Sequence, residues 1–193
     1  MYKLIALDMD GTLLNEEKRV TERTKKAIQA ARDKGVTVVI ATGRPIDGVT
    51  RYLEELDMFT DKDYVLSYNG GLVLNTKSRE VICKIGLLGE DVHYLYNLSK
   101  ELGVNIHAFS EKNGLVTPKN SKYTEVEAEI NNIKINEIDF NTIESDESFI
   151  KIMMIDEPEI LQNAVDNLPK EVYEKYTVVR STPYFLEFLN KEV

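Results

Sequence analysis

Two short apolar runs, "LIAL" at residues 4–7 and "VTVVIA" at 36–41, stand either side of one helical segment, and this spacing constrains the fold more than anything else in the chain. A strand, a helix and a second strand in that order form the crossover that a parallel pair requires, since a tight hairpin cannot join parallel strands. In the helical segment Thr21 is placed to cap the start, Ala27, Ile28 and Ala31 make an inner stripe, and Gly35 ends it. Leu4, Ile5, Ala6 and Leu7 are continuous rather than alternating, so they read as a strand buried on both faces. Pro45 opens a second helix through "PIDGVTRYLEELD", "YVLSYNGG" is a third strand running into a turn, and "LVLNTKSREVICKIG" is a hairpin. The fold class is α/β, with a parallel sheet at its start.

From about Gly86 the pattern changes. "GEDVHYLYNLSKELG" is helical, "VNIHAFS" and "GLVTP" read as antiparallel strands, and 121–148 is polar and acidic. "FIKIMMID", a helix over 157–168, "YTVVRS" and "YFLEFLN" complete a second, α+β set. A chain of 193 residues with 42% hydrophobic content holds one large or two small domains, and two joined by short hinges fit best. The expected boundaries are 1–85 for the first domain, with 185–193 returning to it, and 86–184 for the second.

The formal charge of −9, from 24 basic and 33 acidic residues, argues against nucleic-acid or anionic-membrane binding, which needs a basic surface. Cys83 is the single cysteine, so no internal disulfide or cysteine-built zinc cluster is expected. Its apolar surroundings in "EVICKIG" read as those of a buried structural thiol. The first residues lead into a strand without a signal-like segment, and the longest apolar run is too short to span a bilayer. A soluble, cytoplasmic protein is the expectation.

The chemistry concentrates where the first strand ends, in "LDMDGTLL". Asp8 and Asp10 lie two residues apart, a spacing that puts both on one side of a strand. In open parallel sheets ligands bind beyond the carboxyl ends of the strands. Gly11 lets the backbone bend sharply, and Thr12 and the turn amides can donate to an anion. Carboxylates this close ionise together only with a cation, and Mg²⁺ takes oxygen ligands while leaving positions for phosphate. One carboxylate can attack phosphorus while the other exchanges protons with leaving group and water. The plainer alternative is turn chemistry, and "DKD" at 61–63 has the same spacing inside a polar loop, where it reads as a solvated turn.

"VVIATGRP" points to the same site. Thr42 and Gly43 bring a hydroxyl and an amide beside the end of the first strand, as the oxygens of a transferring phosphoryl group require. Arg44 can pair with phosphate or with an acidic residue. Asn69 and Gly70 in "YNGG" can present an amide to substrate, or form a tight turn only. His93 and His107 receive no role, and no Walker loop, dinucleotide fingerprint or nucleophile elbow is present.

With these residues in view, the chain resembles the haloacid dehalogenase-like hydrolase superfamily, and within it the Cof-type (YidA-like) sugar-phosphate phosphatases. "ALDMDGTLL" is similar to the superfamily's first motif, "IATGR" to its second, and "YNGG" to the subfamily's turn before the cap. The resemblance covers essentially the whole chain. It implies a Rossmann-like core with an inserted α+β cap and hydrolysis of a small phosphorylated metabolite, a sugar phosphate by the subfamily's habit. Asp8 would be the nucleophile that forms an aspartyl-phosphate and Asp10 the general acid and base. Mg²⁺ would be held by the Asp8 carboxylate and the Asp10 main-chain carbonyl, with phosphate on Thr42 and Gly43.

The chain also departs from the family pattern. The third motif is a lysine followed by glycine, and the fourth an acidic segment that completes the metal ligands. Here "FLEFLNKEV" offers Lys191 without a following glycine, and the acidic segment is absent. The expectation is a piece of a longer phosphatase, weakly active or inactive, binding Mg²⁺ poorly, with residues 3–9 as an exposed apolar edge prone to self-association. Two other readings stay open: a receiver-like phosphoacceptor, disfavoured because the "VVIATGR" strand ends without an aspartate, and a non-catalytic binder of phosphometabolites.

Overall fold

The helix between the first two strands forms as its caps dictate. The computed structural model describes residues 2–193. In it α1 (Glu22–Asp33) starts at Thr21, whose hydroxyl oxygen accepts from the Thr24 amide at 3.2 Å, a cap worth about 1 kcal/mol. Gly35 follows its last turn at φ +78°, where a side chain would be strained. The crossover joins β1 (Leu4–Leu7) to β2 (Thr37–Ala41), which pair in parallel from Leu4–Thr37 to Leu7–Ile40. Helix α2 (Ile46–Glu55) then leads to β3 (Tyr64–Ser67), also parallel to β2. The hairpin β4 (Leu72–Asn75) and β5 (Val81–Lys84) completes a five-stranded sheet of order β1-β2-β3-β4-β5. Its core is built from Val38, Val39, Ile40, Val49, Leu53 and Val65.

The chain divides into two compact units, the second being Ile85–Val193. This unit holds a seven-stranded sheet in which the short β6 (Leu87–Leu88) pairs with β10 (Ser148–Ile155) off the main path. Strand β7 (Asn105–Ser110) runs antiparallel to both β10 and β8 (Gly114–Thr117), while β9 (Ile135–Glu137) pairs in parallel with β8. Strands β11 (Tyr176–Thr182) and β12 (Phe185–Asn190) close the other side, giving the order β11-β12-β10-β7-β8-β9. Helices α3 (Gly89–Leu102), α4 (Lys122–Asn131), α5 (Pro158–Asp166) and α6 (Lys170–Lys175) complete the unit. Val92 and Leu95 of α3 and Leu161 of α5 join Ile152, Met154 and Phe188 in its main core.

Three expectations are corrected. Residues 185–193 do not return to the first unit: Phe185–Asn190 form β12, hydrogen-bonded between β10 and β11 of the second sheet. Strand β1 is not buried on both faces; it is the exposed apolar edge also expected for residues 3–9, with β2 as its single strand neighbour and Leu4 56% and Ile5 37% exposed. Cys83 is exposed rather than buried, since all four residues of the edge strand β5 face solvent. The second and third share a cause. An apolar strand is buried only where another layer covers it, and both lie at sheet edges.

No helix among the described residues is long and apolar enough to cross a membrane.

Candidate functional site

Strand β1 stops at Leu7, so Asp8 and Asp10 lie in the loop beyond its carboxyl end rather than on one face of a strand. The loop is closed by its own backbone: the Leu13 amide donates to the Asp8 carbonyl at 3.0 Å, and the Leu14 amide to the Met9 carbonyl at 2.9 Å. Gly11 sits at φ +81°, the left-handed conformation that favours glycine, so the bend read from the sequence is real. Met9, Leu13 and Leu14 are buried while Asp8, Asp10, Gly11 and Thr12 face outward. Apolar anchors thus hold a polar loop in place. The Thr12 amide closes onto the Met9 carbonyl at 3.3 Å, leaving its hydroxyl as the group it offers.

The second motif lies beside the third. Thr42 is buried; its amide donates to the Leu66 carbonyl at 3.0 Å and its hydroxyl oxygen accepts from the Arg44 amide at 3.3 Å. The Asn69 amide donates to the Thr42 carbonyl at 3.0 Å and the Tyr68 amide to the Arg44 carbonyl at 3.1 Å, zipping the two loops together. At Gly43 a Cβ atom would stand 2.5 Å from Asn69 Oδ1, so a side chain there would push the Asn69 carboxamide away from this loop. Asn69 and Gly70 both have positive φ, 60° and 101°, in a 3₁₀ turn over Tyr68–Gly70. The tight-turn role of "YNGG" is therefore real, and the turn also brings the Asn69 carboxamide against the Thr42–Gly43 loop.

Arg44 joins the second motif to the first. Its Nε donates to Asp10 Oδ2 and its Nη2 to Asp10 Oδ1, each at 2.8 Å, a bidentate clamp across 34 residues of sequence. The guanidinium is nine-tenths buried, and its Cζ stands 5.9 Å from the centroid of the Tyr52 ring on α2. Of the two partners the sequence left open for Arg44, it takes a carboxylate, and that carboxylate belongs to the site. Lys18, which the sequence reading passed over, donates from Nζ to Asp10 Oδ1 at 2.7 Å. Its only sequence signal was a cation eight residues beyond an acidic pair. The Arg44 guanidinium holds the Asp10 carboxyl well down, at about 2; partial burial pulls the other way, and Lys18 adds to the lowering.

Asp8 is exposed, and among the described residues no hydrogen bond or ion pair engages its carboxylate. Neither do the described residues contain a group of three or more His, Cys, Asp and Glu side chains placed to hold a metal ion. The Asp10 side chain is already committed to Arg44 and Lys18, so a hard cation here would draw on the Asp8 carboxylate, with the Asp10 main-chain carbonyl as the second oxygen donor.

The comparison pair "DKD" separates clearly from this site. Asp63 is buried, accepts from the Thr60 amide at 2.8 Å and pairs with Arg32 at 3.1 Å, while Asp61 pairs with Lys77 at 3.0 Å on the surface. It is turn chemistry, though Asp63 is enclosed rather than solvated. His107 is fully buried, against Thr124 and Met153.

A family model for haloacid dehalogenase-like hydrolases matches residues 5–193, nearly the full chain. The chain belongs to the haloacid dehalogenase-like hydrolases. The putative phosphatase YxeH of Bacillus subtilis is 45% identical over 194 residues, covering 100% of this chain and 72% of that protein. Among solved structures, a haloacid dehalogenase-like hydrolase from Bacteroides thetaiotaomicron superposes with a TM-score of 0.85 at 31% identity, over 99% of this chain and 72% of that one. The HAD subclass IIB sugar phosphatase BT4131 shares the fold, with a TM-score of 0.76 at 24% identity over 98% of this chain and 70% of that one. The resemblance read from three short motifs is therefore a family membership, and the α/β fold with a Rossmann-like first unit and a second α+β unit is the family's. Its phosphatases hydrolyse phosphoric monoesters.

Proposed function

We propose that the loop after β1 is a phosphoryl-transfer site acting on a small phosphomonoester, with a sugar phosphate as the favoured class. The observation that carries the reading is the pairing of an unengaged carboxylate, Asp8, with one that is held and oriented, Asp10. In the family context this division suits a nucleophile and a proton carrier. BT4131, whose fold the chain shares, is a sugar phosphatase, in keeping with that substrate class.

In the first step an Asp8 carboxylate oxygen attacks phosphorus, the ester P–O bond breaks, and the leaving oxygen takes a proton from Asp10. In the second, water attacks the aspartyl-phosphate and gives its proton to Asp10, and the bond between Asp8 and phosphorus breaks to release inorganic phosphate. Thr42 and Gly43 would supply a hydroxyl and an amide to phosphoryl oxygens, and Gly11 and Thr12 belong to the same loop as Asp8 and Asp10. Bound Mg²⁺ would sit on the Asp8 carboxylate and the Asp10 carbonyl and offset negative charge on the phosphoryl group. Arg44 favours the ionised form of Asp10, the form that accepts the water proton in the second step.

The two-oxygen protein donor set supports a further reading, that turnover by these 193 residues is slow and Mg²⁺ binding is weak. The exposed β1 edge supports weak self-association of two copies of the chain. A cytoplasmic location agrees with the metabolite chemistry.

The test is hydrolysis of p-nitrophenyl phosphate with and without Mg²⁺ by the chain and by Asp8→Asn. Slow, Mg²⁺-dependent turnover that falls about a thousandfold in Asp8→Asn is expected. Equal turnover by the two would overturn the assignment of Asp8, and full family-like turnover would overturn the slow-activity reading alone.

A further inference from the structure

Asp10 carries one more cation than its orientation needs. Arg44 by itself fixes the carboxylate, one nitrogen on each oxygen at 2.8 Å, from a side chain only 9% exposed. Such a fork sets both the position and the plane of the group. Lys18 adds a third contact at 2.7 Å to Oδ1, an oxygen that Arg44 already serves. Its side chain is 56% exposed. An ammonium in water on a flexible stem gains little from an oxygen already satisfied.

The backbone beneath Lys18, by contrast, is held. Its amide donates to the Asn15 carbonyl at 2.9 Å, the Asn15 amide donates to the Arg19 carbonyl at 3.0 Å, and the Lys18 carbonyl accepts from the Tyr52 hydroxyl at 3.1 Å. Lys18 adopts φ +57°, which is uncommon for a lysine and carries strain that the turn must offset. The turn thus fixes the root of one long cation beside the loop of Asp8 and Asp10 while leaving its ammonium able to swing.

We infer that Lys18 is an exchangeable counter-ion and a further phosphate-binding residue. It rests on Asp10 Oδ1 while the site is empty and moves to the anion when a phosphate group enters the loop. The inference rests on the phosphoryl-transfer reading of the site. A phosphate dianion attracts a mobile ammonium more strongly than a carboxylate whose charge Arg44 already offsets. Departure of Lys18 leaves Asp10 oriented by Arg44, with Oδ1 one donor fewer and open toward the leaving oxygen.

The experiment is an NMR titration of the isotope-labelled 193-residue chain with inorganic phosphate in Mg²⁺ buffer, for wild type, Lys18→Gln and Lys18→Arg. Phosphate is expected to shift the Gly11 and Gly43 amides and the side-chain resonances of Lys18. Lys18→Gln should bind phosphate about fivefold more weakly, and Lys18→Arg should recover most of that loss. The Arg44 Nε–H resonance should keep its wild-type position in Lys18→Gln, which also reports that the loop is folded. Phosphate that shifts Gly11 and Gly43 but leaves Lys18 still, or that binds Lys18→Gln as tightly as wild type, overturns the inference and leaves the phosphoryl-transfer reading standing. Displacement of the Arg44 resonance in Lys18→Gln would show Lys18 to be a fixed orienting partner, and also overturns it. If phosphate moves none of these amides, the phosphoryl-transfer reading fails and takes the inference with it.

Discussion

Strands β1 and β10 are built from the same kind of sequence and meet opposite fates. "LIAL" is wholly apolar, yet it stands at the margin of its sheet with Leu4 and Ile5 in solvent. "SFIKIMMI" contains a lysine, yet it lies between β7 and β12, and Ile152, Met153, Met154 and Ile155 are each 0% exposed. Even its lysine is enclosed: Lys151 pairs with Glu187 of β12 at 3.3 Å, and its Nζ stands 5.2 Å from the centroid of the Phe109 ring on β7. Burial belongs to a strand's neighbours and covering layers more than to its composition.

The same contrast holds for charge. In the loop after β1, the Asp10 carboxylate is 41% exposed and held by one buried cation, Arg44, and one that water reaches, Lys18. A charge placed there stays available for chemistry. In the second sheet Lys151, Glu187 and His107 are enclosed, and Glu187 Oε2 has an ion-pair partner without a hydrogen bond. A buried pair of that kind adds little net stability, and losing either partner is costly because the other is stranded.

The comparison breaks most readily at the cores. Ile152→Ala should cost about 3–4 kcal/mol in urea unfolding, whereas Leu4→Ala should cost under about 1 kcal/mol. Equal costs would mean that β1 is covered in solution. A nearly equal effect should come from pH. Desolvation, with the Lys151 charge adding to it, pushes His107 down to about 3 from an ordinary value of 6.5. The unfolded chain therefore takes up a proton that the folded one refuses. Stability from this group is whole above pH 6.5 and drains away as pH falls toward 3, by up to several kcal/mol. Melting at neutrality and near pH 4 should show a smaller difference for His107→Gln than for wild type. The proposed β1 edge association should weaken in Ile5→Lys, read by sedimentation as a shift toward monomer at the same loading. The smallest effect belongs to the other edge: Cys83→Ser should change stability by no more than about 0.5 kcal/mol, and the native thiol should react with a disulfide reagent about as fast as in the unfolded chain.

Much of the site was legible because its rules are local. Gly11 at positive φ, the Thr21 cap and the placement of Asp8 and Asp10 past a strand end all follow from residues within a few positions of one another. The acidic pair and its two supporting motifs carried the family by themselves. What could not be read locally was decided between distant segments. Arg44 meets Asp10 across 34 positions, and Lys18 reaches the same carboxylate from a turn whose shape depends on Tyr52 of α2. "YFLEFLN" read as part of the second set, but that Phe185–Asn190 lies between β10 and β11 was decided by the sheet order. The apolar run at β5 read as core until the sheet order placed it at a margin. Backbone geometry and capping act over a turn or two of chain, so the amino-acid order determines them directly. Exposure and the partner of a charge depend on which element lies next in space, and only the folded arrangement decides that.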